Sequence, residues 1–387
     1  MEEIEEIISE LLMCRRCGLC RDPIDIEHGI DGACPVWRSS AGFETDFARG
    51  KIQIALALLQ GKLELSPEVA KNLYRCTLCN NCGTICPAGL EISQLFEKVR
   101  EFVSGKVFVS EKHAAIVKSI EKYGNPYLTP SNKRFEWLGE KLSKMPREAE
   151  VVYFAGCTTS LRTPEIGKAT IEILSSANVD FTILKDEWCC GSILLRLGFR
   201  EKAVETAEKV VKAIENTGAK AVVTSCAGCF RALKYDYTEI LGDTGFEVLH
   251  TTQFLDKLLK DGKIELNILP EHMKVTYHDP CHLGRHGLVY EEPRDVLKQI
   301  SNLELVEMIP NKQFSMCCGA GGGLKLLEGE LAVKIASEKI KKVLGMNVHA
   351  LVSACPFCKY NFLEAVSREK INFKVYDIVE LVVKAIG

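Results

Sequence analysis

The 387-residue chain predicts an α+β multidomain protein, with an α-helical N-terminal domain followed by two tandem α/β domains related by internal repeat. Three observations carry this. Eighteen cysteines fall into four ligand-like groups with none left over. From residue 150 onward, short β-branched segments alternate with helical stretches, which is the texture of α/β domains. That texture also repeats: VVYFAGC (151–157) answers VTYHDPC (275–281), AVVTSC (221–226) answers ALVSAC (350–355), and FEVLHTTQFL (246–255) answers FKVYDIVELV (373–382). The offset stays between 124 and 129 residues throughout, the mark of a duplicated domain.

Along the first domain, Ile4, Ile7, Ile8, Leu11 and Leu12 recur at helical spacing and predict a short helix running into the first cysteine set. Residues 46–59 predict a helix with Ile52, Leu56 and Leu59 on one face. Another starts at Pro67, a good first-turn residue, and runs to Tyr74; a further one spans Glu91 to Phe102. Residues 105–148 carry no cysteine and hold a turn-rich stretch, YGNPYLTPSN, between helical segments, so they read as a helical linker packed on its neighbours. The expected units are therefore 1–104, the linker 105–148, the first α/β copy 149–268 and the second 269–387. In both copies the cysteines are expected at the C-terminal ends of strands, where α/β sheets place their sites.

A net charge of −3 with both signs interspersed gives no reason to expect a nucleic-acid partner. No stretch approaches the roughly 20 apolar residues that a membrane helix needs. The acidic, amphipathic start MEEIEEIISELLMC is unlike a signal peptide. The expected location is cytoplasmic, with any membrane attachment peripheral and through a partner. In that compartment clustered cysteines bind metal more often than they form disulfides.

Eight cysteines form two sets: Cys14, Cys17, Cys20 with Cys34-Pro35, and Cys76, Cys79, Cys82 with Cys86-Pro87. C-x-x-C-x-x-C followed by Cys-Pro is the ferredoxin pattern, in which the fourth cysteine serves the other cluster. Cys14, Cys17, Cys20 and Cys86 are then expected to hold one cubane 4Fe–4S cluster, and Cys76, Cys79, Cys82 and Cys34 a second. Embedding among helices points to an α-helical ferredoxin. Structural zinc takes paired C-x-x-C knuckles and fits poorly. Thirteen residues separate Cys20 from Cys34, so the segment 21–33 is expected to loop out.

The other ten cysteines form two sets of five: Cys157, Cys189, Cys190, Cys226, Cys229, and Cys281, Cys317, Cys318, Cys355, Cys358. Five thiolates exceed the four that a cubane or a zinc ion needs. Adjacent cysteines point in different directions from one backbone, which suits an opened cluster with room for a substrate atom. His278, His282 and His286 have helix-like spacing, but Pro280 interrupts any single helix, so a three-histidine metal site is not expected. Either one or two of them supply protons near the second set, or they are ordinary hydrogen-bonded residues. Gly319, Gly321, Gly322 and Gly323 lack the lysine–hydroxyl pair of a phosphate loop. They are expected to let backbone approach a cluster and offer N–H groups to its sulfurs. Trp188 and Arg285 are candidates for shaping the pocket.

YHDPCHLGRHGLVYEEPR (277–294), MCCGAGGG (316–323) and SACPFCKYNF (353–362), with YFAGC, EWCCG and TSCAGC in the first copy, resemble the cysteine-rich CCG domains of heterodisulfide reductase. The whole chain, an N-terminal α-helical ferredoxin followed by two tandem α/β CCG domains, resembles the family of the heterodisulfide reductase D subunit and the glycolate oxidase iron–sulfur subunit. The resemblance implies an oxidoreductase relaying electrons through two cubane clusters to one or two noncubane 4Fe–4S clusters, one on each five-cysteine set. The chemistry implied is reduction of a CoM-S-S-CoB type disulfide, or the reverse thiol oxidation. More weight falls on the second set, with Cys281, Cys317, Cys318, Cys355, Cys358 and His282 as catalytic candidates. The chain has no flavin or nicotinamide fingerprint, so a flavoprotein dehydrogenase, an electron-transferring flavoprotein or a membrane b-type cytochrome is expected as partner. The small molecule is a disulfide or a quinone. An alternative stays open with the same cofactors: an electron-transfer subunit of a flavin-linked 2-hydroxyacid (lactate or glycolate) or glycerol-3-phosphate dehydrogenase, or of an electron-transferring flavoprotein system feeding a quinone. A zinc-bound scaffold without redox activity is the third reading.

Overall fold

The structure is a computed structural model that describes residues 2–23, 29–30, 32–106 and 111–386. The loop expected over 21–33 lies partly outside the described residues, as does the start of the linker.

Helices Glu2–Leu12, Ala48–Leu59, Pro67–Tyr74 and Ile92–Val103 build the N-terminal part. The second is preceded by a single 3₁₀ turn, Glu44–Asp46. The Pro67 helix starts as its sequence dictates: Pro67 fills the first position, and the Ser66 hydroxyl caps it by accepting from Val69 N–H at 3.3 Å. Leu11, Ile52, Leu73, Leu95, Phe96 and Val99 from these helices share one core.

Two four-stranded parallel sheets follow. In the first, β1 (Val151–Phe154), β2 (Phe181–Thr182), β3 (Ala221–Thr224) and β4 (Glu247–His250) lie in the order β2-β1-β3-β4. In the second, β5 (Met273–His278), β6 (Leu303–Leu305), β7 (Ala350–Ser353) and β8 (Lys374–Asp377) lie in the equivalent order β6-β5-β7-β8. Every residue of β1 and β7 is buried, as parallel strands covered on both faces require. The chain leaves β1 and β3 toward opposite edges, and likewise β5 and β7. The crevice beyond each central pair is therefore a topological switch point. Cys157 follows β1 by three residues, and Cys226 follows β3 by two; Cys281 and Cys355 repeat those steps after β5 and β7.

The two copies pack through helices Pro164–Ser176 and Ile378–Ile386. Buried Lys359 stitches them, its Nζ lying 2.6 Å from both Glu165 and Glu380. Arg100, fully buried in the last turn of the Ile92–Val103 helix, ties all three parts together. Its guanidinium donates to the carbonyls of Leu73, Tyr74 and Cys76, to Arg196 in the first copy and to Gly322 in the second. Gly322 has to be glycine there: its φ is +61°, and a Cβ would sit 2.4 Å from the Cys76 carbonyl oxygen.

Candidate functional site

The N-terminal cysteines gather into two recesses. Cys14, Cys17, Cys20 and Cys86 line one; Cys34, Cys76, Cys79 and Cys82 line the other. Each C-x-x-C-x-x-C run thus meets the Cys-Pro cysteine of the other motif. Left-handed backbone at Leu78 and Asn80 wraps the second loop around its recess, and Leu78 N–H donates to Cys76 Sγ at 3.4 Å. Burial pushes the Cys20 thiol up to about 11 and the Cys34 thiol up to about 12, and neighbouring thiols add to both shifts. Buried thiols that would repel one another as thiolates fit a metal centre, whose positive charge relieves that repulsion. Lys51, which sequence reasoning missed, is buried beside the second recess with Nζ held by the Thr45 and Asn72 carbonyls.

The two recesses differ in depth. Cys17 is exposed, whereas Cys79 is buried and its thiol touches Cys317 of the second α/β copy. From there thiol contacts continue without a gap. Cys317 meets Cys281 and Cys318, Cys318 meets Cys358, and Cys358 meets Cys355. Cys355 meets Cys226 across the interface of the copies; Cys229, Cys190, Cys189 and Cys157 complete the series.

All ten of these cysteines are buried. Nine of them, all but Cys317, line a single cavity of ≈ 310 Å³ between the copies. A space of that size matches the lower end of the range for small-molecule sites, about 300–1,000 Å³.

Much of the first set's surroundings comes from the segment after helix Glu111–Tyr123, which the sequence offered only as a linker. Arg134 Nη2 lies 3.2 Å from Cys157 Sγ, and its Nε and Nη2 reach Glu187 at 3.1 and 3.0 Å. Glu187 in turn accepts from the N–H groups of Ala155 and Gly156, at 2.8 and 2.9 Å, and so fixes the turn that presents Cys157. Burial pushes the Glu187 carboxyl up and outweighs the opposing pull of Arg134. Tyr127 joins the same wall through its hydroxyl, 2.8 Å from Thr158 Oγ1.

The histidines separate into three environments. His278 Nδ1 faces Lys339 Nζ at 2.7 Å, and its ring lies with Cys318 and Cys358 in a group whose ligand atoms fall within 4.8 Å. His286 turns toward the N-terminal part, with Nε2 3.1 Å from the Leu78 carbonyl. Of the three, His282 alone lines the cavity; burial holds it well below the usual histidine range, hence neutral. The glycine run departs in part from expectation. Gly319 N–H does reach Cys317 Sγ at 3.4 Å, but Gly321 and Gly322 press on the backbone of Cys76 and Thr77. Arg285 and Trp188 do not line the cavity. Arg285 clamps the second copy to the N-terminal part by donating to the carbonyls of Cys79 and Ser315 at 2.6 and 2.7 Å. Trp188 packs on Gly124, with Lys209 over its ring.

Comparison with known proteins agrees with this layout. Residues 151–234 and 275–363 match the family described as "Cysteine-rich domain", and residues 10–90 match "4Fe-4S dicluster domain". The D subunit of the dihydromethanophenazine:CoB–CoM heterodisulfide reductase of Methanosarcina barkeri is 38% identical, with 98% of this chain and 95% of that one covered. The EtfAB:quinone oxidoreductase of Syntrophomonas wolfei is 31% identical, over 82% of this chain and 47% of that one. A solved structure of a hypothetical protein from Helicobacter pylori shares the fold alone, with a TM-score of 0.59 at 8% identity over 100% of this chain and 72% of that one. Among the described residues no helix is long and apolar enough to cross a membrane.

Proposed function

Because the chain belongs to the family of the heterodisulfide reductase D subunit, we propose that it is the iron–sulfur subunit of a disulfide-reducing oxidoreductase whose substrate site is the cavity between the two cysteine-rich copies. The observation that carries the reading is the convergence of nine cysteines from both copies on one substrate-sized space. Cys14, Cys17, Cys20 and Cys86 hold one cubane, and Cys34, Cys76, Cys79 and Cys82 the other. The five-cysteine sets hold noncubane clusters. When bound, 4Fe–4S clusters supply one-electron storage and transfer.

The remaining roles fall to the chain itself. Exposed Cys17 marks the outer set as the face toward a redox partner, a flavoprotein dehydrogenase, an electron-transferring flavoprotein or a membrane b-type cytochrome. The glycine run and Arg285 press the inner set against the second copy, so Cys79 and Cys317 touch. That contact makes the second copy the first of the two to be reached from the partner. Reducing the disulfide takes two electrons and two protons and leaves two thiols. His282, neutral and facing the cavity, is the group placed to hydrogen-bond a substrate sulfur and to handle its proton. Ile193, Leu326 and Phe357 supply apolar wall that keeps water from the reacting sulfurs.

Likeness to the EtfAB:quinone oxidoreductase supports the second reading, an electron-transfer subunit feeding a quinone. One assay separates them. Anaerobically reconstituted protein is reduced with viologen, then offered coenzyme M–coenzyme B heterodisulfide or a short-chain quinone. Consumption of the heterodisulfide with release of two thiols is expected; quinone reduction alone assigns the chain to the second reading.

A further inference from the structure

Among the described residues, the cations that line the cavity between the copies are Arg162, Arg196 and Lys325, and no carboxylate lines it. Two of the three cations are neutralised within the protein. Arg196, almost fully buried, is ion-paired with Glu97 and Asp236. Lys325 bonds Asn361 Oδ1 at 2.6 Å and pairs with Glu364. Arg162 is unlike both. It is exposed, with no carboxylate partner among the described residues, and its Nη1 donates only to the neighbouring Leu161 carbonyl. Its guanidinium lies 4.4 Å from the centre of the Tyr127 ring.

That ring is itself held. The Tyr127 hydroxyl bonds Thr158, and its backbone N–H donates to Asn125 Oδ1 at 3.0 Å. Stacking on a fixed ring orients a guanidinium while leaving N–H edges free for a planar or tetrahedral anion. Arg162 also ends the short helix that Cys157 begins. Five residues of helix place its Cα about 7.5 Å along the axis from that of Cys157. Arg162 and Cys157 thus line one cavity from the two ends of the same helix.

We propose that Arg162, braced by Tyr127, is a specificity-determining residue of this cavity and binds an anionic group, whether sulfonate, carboxylate or phosphate, on one arm of the substrate. The proposal rests on the disulfide reading and deepens it. Two probes test it by calorimetry on the iron-loaded, oxidised protein: anionic bis(2-sulfonatoethyl) disulfide and neutral bis(2-hydroxyethyl) disulfide. The wild-type protein binds the anionic probe more tightly. Arg162→Gln weakens that binding about 10- to 100-fold, the scale of a hydrogen bond to a charged group, and leaves the neutral probe unchanged. Arg162→Lys restores part of the loss. In viologen-driven turnover the Gln variant raises KM for the anionic probe and keeps kcat. Equal binding of both probes by wild type and Arg162→Gln overturns the proposal, and so does an equal loss for both probes, which marks a structural effect. If wild type binds neither disulfide, the disulfide reading fails and takes this proposal with it.

Discussion

Replacing Arg134 by methionine tests whether residues 124–138 belong to the first five-cysteine site or merely connect two domains. The Arg134 and Glu187 side chains are 3% and 0% exposed, so water cannot solvate either charge once its partner is gone. The guanidinium makes two hydrogen bonds to Glu187, one to the Gly124 carbonyl at 3.1 Å and one to Cys157 Sγ. Removing one member of such a pair strands a buried charge and costs about 3–5 kcal/mol. Methionine keeps most of the apolar stem, so little is lost to an empty space. Urea unfolding of the iron-loaded protein under anaerobic conditions, read at its midpoint with iron content measured alongside, gives the number. Adding Glu187→Gln removes the stranded charge and keeps an acceptor for one of the Ala155 and Gly156 N–H groups. The double variant is therefore more stable than Arg134→Met alone. A single-variant loss below about 1 kcal/mol, the scale of a surface pair, or a double variant no better than the single, would show that the Arg134–Glu187 pair does not hold this segment on the first copy.

Other outcomes follow from the same geometry. Four clusters of four irons imply about 16 iron atoms per chain, and an anaerobic assay near 8 leaves the five-cysteine sets without clusters. Cys79→Ser removes one N-terminal cluster and blocks viologen-driven turnover while the two α/β sheets stay folded by circular dichroism; undiminished turnover contradicts its place beside Cys317. Gly322→Ala drives a methyl group into the Cys76 carbonyl and costs about 1–3 kcal/mol of docking between the second copy and the N-terminal part. It shows as slowed turnover at normal iron content, and a normal rate argues against that contact. His250 is buried, and burial pushes it down to about 3. Its folded pKa lies below its unfolded value, so the stability it contributes is present above about pH 6.5 and is lost on acidification at about 1.4 kcal/mol per pH unit. His250→Asn flattens the stability profile between about pH 6.5 and 5, and an unchanged profile shows that His250 is protonated in the fold.

What the sequence made legible was whatever depends on local spacing or on repetition. The helices at Pro67–Tyr74 and Ala48–Leu59 were readable because apolar period and first-turn chemistry are local properties. The convergence of Cys86 on the Cys14 set and of Cys34 on the Cys76 set was readable because the ferredoxin pattern carries its own pairing rule. Arg134 and Glu187 were not, because a buried carboxylate says only that it needs a cation, and this one lies 53 positions away. By its spacing the glycine run reads as serving a cluster, whereas two of its members chiefly serve the contact with Cys76 and Thr77, a surface on another part of the chain. The three histidines look alike in sequence, yet Lys339 and the Leu78 carbonyl engage two of them and leave His282 to the cavity.

We propose that a disulfide is reduced where the two cysteine-rich copies meet, with the second copy carrying the reaction. Heterodisulfide turnover by Cys318→Ser and Cys190→Ser, each with its iron counted, tests it most directly. Both sulfurs line the shared cavity, while Cys318 belongs to the set in contact with Cys79 through Cys317. Cys318→Ser abolishes turnover with the N-terminal clusters still reducible by dithionite, and Cys190→Ser only slows it. Normal turnover by the Cys318 variant, with loss confined to the Cys190 variant, would contradict the proposal.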